Sequence, residues 1–300
     1  MMSVGFSRMR RVLAAPALIV TGMLASAAAS ANPEPWQLNL VKGVTKTSHE
    51  VHDIHMIMLW ICVVIGVIVF GVMFVAMFRF RKSKGAVAAT WSHSTKLEAA
   101  WTIIPILILI GSAWPATKLL LRMADTSGSD MTIKITGYQW KWRYEYVDYY
   151  GKQPDINFVS SLASDSNRAR QLGSGIDPAS IQVDGVPTYL LDVDKPLVLP
   201  AGVKVRFVIT ADDVIHAWWV PQLGWKQDAI PGIINSTWTQ VDQPGIYRGQ
   251  CAELCGKDHG FMPIVVKVLP KAEFEQWMAD QAPAPEATAS TIAPTTAPQG

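Results

Sequence analysis

The sequence predicts a membrane hairpin of two helices followed by an external all-β domain, an antiparallel sandwich or barrel. Two long apolar runs, 54–78 and 101–121, predict the hairpin. Short strand-like runs separated by Gly and Pro turns across residues 131–270 predict the β domain. The chain has 300 residues, half of them hydrophobic, and these are unevenly spread. A membrane part plus one domain therefore fits better than one large domain.

Residues 1–31 are predicted to be a secretory signal peptide that is cleaved. A short apolar core, residues 12–24, follows three arginines. The small residues of Ala29–Ala31 form an A-x-A site, so we expect cleavage before Asn32. The alternative is an uncleaved anchor, but the apolar core is too short to span a bilayer comfortably.

The two longer apolar runs are predicted to be transmembrane helices. The first, 54–78, has 25 residues and one ionisable group, His55. At about 1.5 Å per residue it can cross a hydrocarbon core of about 30 Å. The second, 101–121, contains Pro105 and Pro115, which membrane helices tolerate. Residues 32–124 therefore form the N-terminal segment and the hairpin.

The loop between the spans fixes the expected topology. It carries five basic residues, Arg79, Arg81, Lys82, Lys84 and Lys96. By the positive-inside rule this loop is cytoplasmic, so the mature N-terminus and everything after Leu121 are expected to lie outside, in a bacterial periplasm or its equivalent. The external domain, 125–281, has 14 Lys and Arg against 19 Asp and Glu, whereas the whole chain is at +2. This acidic balance disfavours nucleic acid and is compatible with a basic protein partner.

The external domain is predicted to consist of short strands with a closing helix at 271–281. We predict strands at 131–135, 138–146, 187–193, 204–210, 237–241, 246–248 and 263–268. Residues 160–180 are predicted to be a long surface loop. Residues 282–300, rich in Ala, Pro and Thr, are predicted to be a disordered tail.

The run 251–262 has the pattern C-x3-C-x3-H-x2-M, formed by Cys251, Cys255, His259 and Met262. Sulfur ligands beside imidazole suit copper. The third cysteine, Cys62, lies inside the first span. Two cysteines in one loop allow two metal ions to share bridging thiolates, which favours electron transfer.

Two alternatives remain for this loop. In an oxidising compartment Cys251 and Cys255 can form a disulfide, which leaves His259 and Met262 unexplained. Two Cys and two His would also satisfy zinc, but a thioether such as that of Met262 is a copper-type ligand.

A further imidazole ligand is predicted to be His216. His93 lies in the cytoplasmic loop, and His49, His52 and His55 precede the first span at a spacing that drifts around a helix. A three-histidine site there is a weaker alternative to polar residues at a membrane interface. His216 follows a predicted strand in the external domain, as expected of a ligand paired with a later Cys/His/Met loop.

Five segments together resemble one known family. They are Leu97-Glu-Ala-Ala-Trp-Thr-Ile-Ile-Pro105, Gly137-Tyr-Gln-Trp140, Asp213-Val-Ile-His216, Asp228-Ala-Ile-Pro-Gly232 and the highly specific block 249–263. The chain resembles subunit II of haem–copper cytochrome c oxidase over about residues 50–277. The resemblance implies a two-helix transmembrane hairpin followed by a cupredoxin domain, a Greek-key β sandwich.

The resemblance also implies a binuclear centre of two copper ions, named CuA. Cys251 and Cys255 match the bridging thiolates. His216 and His259 match the terminal imidazoles. Met262 matches the weak thioether ligand.

Three further roles are implied by the resemblance. Glu253 matches a residue whose backbone carbonyl reaches one copper and whose carboxylate binds magnesium at the contact with the catalytic subunit. Trp140 matches the surface tryptophan that receives the electron from cytochrome c. Glu98 matches a glutamate at the mouth of a proton path, although an acid there also suits a helix N-terminus by its charge alone.

The function implied is that of an electron-accepting subunit of a terminal oxidase. Cytochrome c would reduce the copper centre, and haem in subunit I would take the electron for oxygen reduction and proton pumping, with subunit III as a further partner. A copper metallochaperone would lack the Met262 position, a quinol oxidase subunit II would lack the copper ligands, and the copper domain of nitrous oxide reductase lacks the hairpin. Lys141 and Arg143 depart from the family pattern beside Trp140, which predicts weaker docking of a strongly basic cytochrome c.

Overall fold

The structure is a computed structural model that describes residues 29–31, 36–172, 186 and 188–281. The predicted tail, 282–300, lies outside the described residues, as does the predicted signal peptide apart from its last three residues. These three form strand β1, Ala29–Ala31, which pairs in parallel with residues 245–247. Cleavage before Asn32 stays a prediction, and it would remove this strand.

The hairpin consists of α1, Lys46–Arg79, and α2, Thr95–Ala124, with a short 3-10 turn at Lys82–Lys84 between them. Both helices are long and apolar enough to cross a membrane. Each extends beyond the span predicted for it at both ends. Most of their large apolar side chains are exposed, as lipid-facing side chains are when no bilayer is present.

The first helix begins in direct contact with the β domain. Thr45 and Ser48 form a capping box, in which the Thr45 side chain accepts from the Ser48 amide at 2.9 Å. The Thr45 hydroxyl donates to the Leu223 carbonyl at 2.9 Å. At Gly224 a Cβ atom would lie 2.6 Å from the Ser48 amide nitrogen, so only glycine allows this approach.

The second helix, α2, is attached to α1 and to the β domain through its C-terminal end. Arg122, in its last turn, pairs with Glu50 of α1 at 2.7 Å. The Trp238 indole donates to the Arg122 carbonyl at 3.0 Å, and the Lys204 ammonium donates to the Asp125 carbonyl at 3.0 Å. The hairpin is thus held to the β domain at two places.

The β domain is a sandwich of two sheets. In the described chain its strands are β2 Met131–Tyr138, β3 Lys141–Tyr149, β4 Ile156–Ser160, β5 Leu197–Pro200, β6 Lys204–Ala211, β7 His216–Val220, β8 Trp225–Ala229, β9 Asn235–Gln240, β10 Gly245–Cys251 and β11 Pro263–Leu269. Helix α3, Ser164–Leu172, follows β4, and α4, Lys271–Gln281, closes the domain. One sheet has the order β4-β3-β2-β6-β9 and the other β5-β11-β10-β7-β8, with β1 beside β10.

Buried and more exposed residues alternate along the strands, and the buried ones form the core between the sheets. Every second residue of β6 and of β10 is buried, the pattern of strands with one face inward. Trp218 stacks on Trp225 with ring centroids 5.1 Å apart, and Phe207 packs on both. Phe274 of α4 is fully buried. The predicted hairpin and cupredoxin-like sandwich are confirmed. Among the described strand pairs, β1–β10, β2–β6 and β5–β11 are parallel and the others are antiparallel.

The predicted strand 138–146 is wrong in one respect. The chain turns at Gln139 and Trp140, so that Tyr138 ends β2 and pairs with Lys141 at the start of β3. Polar and aromatic residues alternate through the turn, which conceals the break in the sequence. The aromatic residues of β3 are buried, whereas Tyr138 and Trp140 are partly exposed.

Other boundaries also differ from the sequence prediction. Residues 188–193 are not a strand, because Thr188 and Leu190 have φ near +60°, which extended chains do not adopt. The predicted loop 160–180 contains helix α3 through Leu172. Strands β4, β5, β7 and β8 were not predicted, since each is short. The closing helix α4 has the predicted bounds.

Candidate metal centre

The candidate ligands meet at one end of the sandwich because two neighbouring strands carry them there. His216 is the first residue of β7, and Cys251 is the last residue of β10. These strands pair, with Cys251 opposite Trp218. The loop from β10 to β11 then returns Cys255 and His259 to the same place.

The sulfur and nitrogen atoms of four predicted ligands lie close together. The Sγ atoms of Cys251 and Cys255 are 3.9 Å apart. His216 Nδ1 lies 3.9 Å from the Cys251 sulfur, and His259 Nδ1 lies 3.5 Å from the Cys255 sulfur. Each imidazole therefore adjoins a different thiol. Both cysteines are free thiols, so the disulfide alternative is not the state seen here.

This donor set fits copper. A metal–thiolate bond is about 2.3 Å for zinc. Because the sulfur–sulfur distance of 3.9 Å is shorter than two such bonds, a metal ion bound here could bond both sulfurs. Met262, three residues after His259, is buried and would add a thioether. Thiolate, imidazole and thioether together are the ligands that copper selects.

Met262 and Glu253 complete the loop around the sulfurs. The Cys251 amide donates to the Met262 carbonyl at 3.0 Å, which holds the loop closed. The Glu253 carbonyl oxygen lies 3.4 Å from the Cys251 sulfur, while its carboxylate is 4.0 Å from the Lys226 ammonium at the surface. Glu253 thus presents its main chain to the sulfurs and its side chain to solvent.

Asp213 orients His216, a role that the sequence analysis missed. Its Oδ1 lies 2.9 Å from His216 Nε2, and its carboxylate accepts from the amides of Gln139 at 2.7 Å and Val214 at 2.6 Å. Burial raises the pKa of Asp213, but the hydrogen bonds lower it overall. A carboxylate on Nε2 leaves Nδ1 free for a metal. The spacing of three residues between Asp213 and His216 is the sequence feature that could have indicated this role.

The two thiols differ in acidity. Burial raises the pKa of both. For Cys251, hydrogen bonds with His216 and with backbone amides outweigh burial, and its pKa falls below the usual range. For Cys255, the neighbouring charge of Cys251 adds to burial and raises the pKa further. A metal that bonds both sulfurs must therefore displace the Cys255 proton.

Gly137 provides the space for His216. A Cβ atom there would lie 2.8 Å from His216 Cδ2. We expect Gly137→Ala to push the imidazole aside, which lowers metal content and costs about 1–3 kcal/mol of stability by overpacking. Metal analysis and thermal unfolding measure both effects. Gly260→Ala is the matched control, because nothing lies within 4 Å of a Cβ beside His259. Full metal content and unchanged unfolding in Gly137→Ala would contradict this expectation.

Trp140 links the surface to a ligand residue. Its indole nitrogen donates to the Cys255 carbonyl at 3.2 Å, and the Gln139 side chain donates to the same carbonyl at 3.0 Å. The indole is partly exposed, at the tight turn after β2. An aromatic ring therefore connects solvent to the main chain of Cys255.

The remaining predicted residues lie away from this cluster. Glu98 is in the first turn of α2, where its carboxylate accepts from the Ser94 amide at 3.3 Å. That contact matches an acid at a helix N-terminus. His49 and His55 contact the Gly43 carbonyl and the Asn39 side chain, at 3.2 and 2.9 Å. Among the described residues, one group of three His, Cys, Asp or Glu side chains has all its ligand atoms within 4.8 Å of one another. It consists of His216, Cys251 and Cys255.

Together, the hairpin, the sandwich and the ligand loop define a membrane-anchored cupredoxin-type protein with a soft-metal site. The sequence model of the cytochrome c oxidase subunit II periplasmic domain matches residues 131–269, and that of its transmembrane domain matches residues 33–119. The chain belongs to the cytochrome c oxidase subunit II family.

Two individual relatives agree with this assignment, and one solved structure is also similar. A probable cytochrome c oxidase subunit 2 of Rickettsia bellii is 39% identical, over 84% of this chain and 87% of the relative. Cytochrome c oxidase subunit 2 of Cyanidium caldarium is 34% identical, over 82% and 91% respectively. A crystal structure of the periplasmic domain of the oxidase subunit II of Bradyrhizobium japonicum is 37% identical, covers 52% of this chain and 96% of its own, and has a TM-score of 0.42.

Proposed function

We propose that this chain is the electron-accepting subunit of a cytochrome c oxidase. It takes electrons from cytochrome c at a binuclear copper centre and passes them to haem in subunit I, where oxygen reduction is coupled to proton translocation. The observation that carries the proposal is the meeting of two thiols and two imidazoles at one end of the sandwich, with each imidazole beside a different sulfur. Membership of the subunit II family supports it.

When bound, the copper pair would supply one-electron transfer. The protein's part is to hold six ligands still: His216, Cys251, Glu253 through its carbonyl, Cys255, His259 and Met262. Two of the ligand residues sit at strand ends, and Asp213 fixes His216 through Nε2. Such a scaffold keeps ligand positions nearly constant between oxidation states, as fast transfer requires. Burial of both sulfurs and of Met262 keeps water from the centre.

The proposed entry point of the electron and the proposed contact with subunit I involve different residues. Trp140 would accept the electron, since its indole reaches the Cys255 carbonyl. The Glu253 carboxylate would bind magnesium shared with subunit I, as the family resemblance implies. It lies at the surface, accessible to such a contact, while its own carbonyl adjoins the Cys251 sulfur. Subunit III is a further proposed partner.

Copper quantitation combined with electron paramagnetic resonance (EPR) spectroscopy on the purified full-length chain tests the proposal. We expect two copper ions per chain and a seven-line hyperfine pattern from one electron shared between them. One zinc ion per chain, or a Cys251–Cys255 disulfide that persists under copper loading with reductant, would overturn it.

The proposed location is a bacterial inner membrane with the copper domain in the periplasm. Glu98 would then lie at the cytoplasmic start of α2, at the proposed proton-path entrance. We expect Glu98→Ala to slow proton uptake and turnover several-fold while copper content stays intact, because the acid that collects protons is lost. Lys96→Ala, on the same helix turn, is the control for charge change. Unchanged turnover in Glu98→Ala would contradict the assignment.

The surface beside Trp140 favours an electron donor that is less basic than usual or is tethered to the oxidase. Lys141 is exposed, and the Arg143 guanidinium lies 4.7 Å from the centre of the Tyr138 ring. Because basic side chains repel a strongly basic cytochrome c, we expect salt to inhibit turnover with such a donor only weakly. Turnover measured over a salt series tests this, and Lys141→Glu should raise the salt sensitivity. Steep inhibition of the unaltered chain would contradict it.

A further inference from the structure

Helix α3, Ser164–Leu172, contacts the ligand loop from outside the sandwich through one side chain, Arg170. The sequence analysis placed this segment in a loop without chemistry. Arg170 donates to both carboxylate oxygens of Asp258, at 3.1 and 3.4 Å. Its guanidinium also lies 4.3 Å from the centre of the Phe261 ring. One side chain thus makes a two-point ion pair and a cation–π contact.

The two residues that Arg170 contacts bracket one metal ligand. Asp258 directly precedes His259, and Phe261 directly precedes Met262. Between them the chain makes a 3-10 turn, His259–Phe261, closed by a hydrogen bond from the Phe261 amide to the Asp258 carbonyl at 2.9 Å. Movement of Asp258 or Phe261 would therefore carry the His259 imidazole with it.

Arg170 is itself held in place. Its Nε donates to the Asn167 side chain at 2.9 Å, one turn earlier in α3. The helix is anchored by Ser166, which is buried and accepts from the Leu190 amide at 3.2 Å. Both ion-pair partners are mostly buried, with side-chain exposures of 23% and 16%, so water screens this pair less than a surface pair.

We propose that Arg170 is a positioning residue of the metal centre, which clamps the turn that carries His259. This inference rests on the proposed copper function. A planar guanidinium suits the task because it can pair with a carboxylate at two points and stack on a ring at the same time, which lysine cannot do.

The test compares Arg170→Ala with Arg168→Ala in the full-length chain. Arg168 is on the same helix, exposed, and pairs with Asp165 instead of the ligand loop. Outer partners of metal ligands typically change affinity by about 10–100-fold. We expect Arg170→Ala to release copper to a chelator about tenfold faster and to alter the EPR hyperfine pattern, Arg170→Lys to recover part of this loss, and Arg168→Ala to behave as the unaltered chain.

A second measurement separates this inference from the copper function. In the metal-free chain, hydrogen exchange of the amides of residues 259–261 should be faster in Arg170→Ala than in Arg168→Ala. That readout decides the inference even if the unaltered chain binds no copper. If Arg170→Ala does not fold, Asp258→Asn removes the ion pair while helix α3 stays unchanged.

Unchanged copper release, spectrum and amide exchange in Arg170→Ala would overturn the inference. A lower melting temperature with an unchanged spectrum and release rate would also overturn it, since α3 would then support only the fold.

Discussion

Replacing Cys251 with serine is expected to abolish the copper pair and stop electron uptake. A serine hydroxyl stays protonated at neutral pH and is a poor ligand for copper, whereas the hydrogen bonds around Cys251 favour its thiolate. Because the two sulfurs are 3.9 Å apart and proposed to be shared, loss of one weakens the binding of both ions. We expect copper affinity to fall more than about 100-fold, beyond what outer partners cost.

Copper content per chain and the EPR spectrum measure this effect. Cys62→Ser is the matched control, because Cys62 is an exposed thiol within α1 and is remote from the metal site. It should retain both copper ions. Retention of two coppers with the seven-line pattern in Cys251→Ser would exclude the bridging role.

Replacing Trp140 with alanine is expected to lower turnover with cytochrome c about 100-fold, the order of loss that follows when a reacting group loses its alignment. The indole is both partly exposed and bonded to the Cys255 carbonyl at 3.2 Å. Gln139 donates to the same carbonyl at 3.0 Å, so that carbonyl stays paired in the variant. Copper content should therefore be unchanged.

Stopped-flow reduction of the copper centre by cytochrome c measures the loss directly. Reduction by a small chemical reductant should proceed at the unaltered rate, because it needs no docking. Trp91→Phe is the control, since that exposed indole lies in the loop that joins α1 and α2. Rapid reduction of Trp140→Ala by cytochrome c would show that electrons enter elsewhere.

Most of the candidate metal site was predictable because its proposed ligands are local in sequence. Cys251, Cys255, His259 and Met262 share twelve residues, and His216 could be found by considering the other histidines in turn. The supporting residues were harder to predict. Asp213 is one of 19 acidic residues in the external domain, and Arg170 is 88 residues from the carboxylate it contacts. No spacing rule connects Arg170 with Asp258, because only tertiary packing brings them together.

The fold was predictable where periodicity is long and unambiguous. Both membrane helices and most long strands follow from their apolar runs, although their bounds moved by several residues. The turn between β2 and β3 at Gln139 and Trp140 was missed because polar and aromatic residues continue to alternate through it. Residues 188–190 were misassigned because backbone conformations with positive φ leave no mark in side-chain composition. Short strands such as β7 are defined by their neighbours in the sheet.

The contacts of Thr45 with Leu223 and of Trp238 with Arg122 have a consequence for the assembled oxidase. They attach the β domain to the membrane-proximal ends of both helices of the hairpin. In the proposed oxidase, helices inserted in the membrane would hold the copper centre at a set distance from its acceptor, and electron transfer between the subunits would be an intramolecular step at high effective concentration. Loss of these contacts would let the centre move relative to the membrane. A shift of about 1 Å can cost about 100-fold in rate, even when every ligand stays in place.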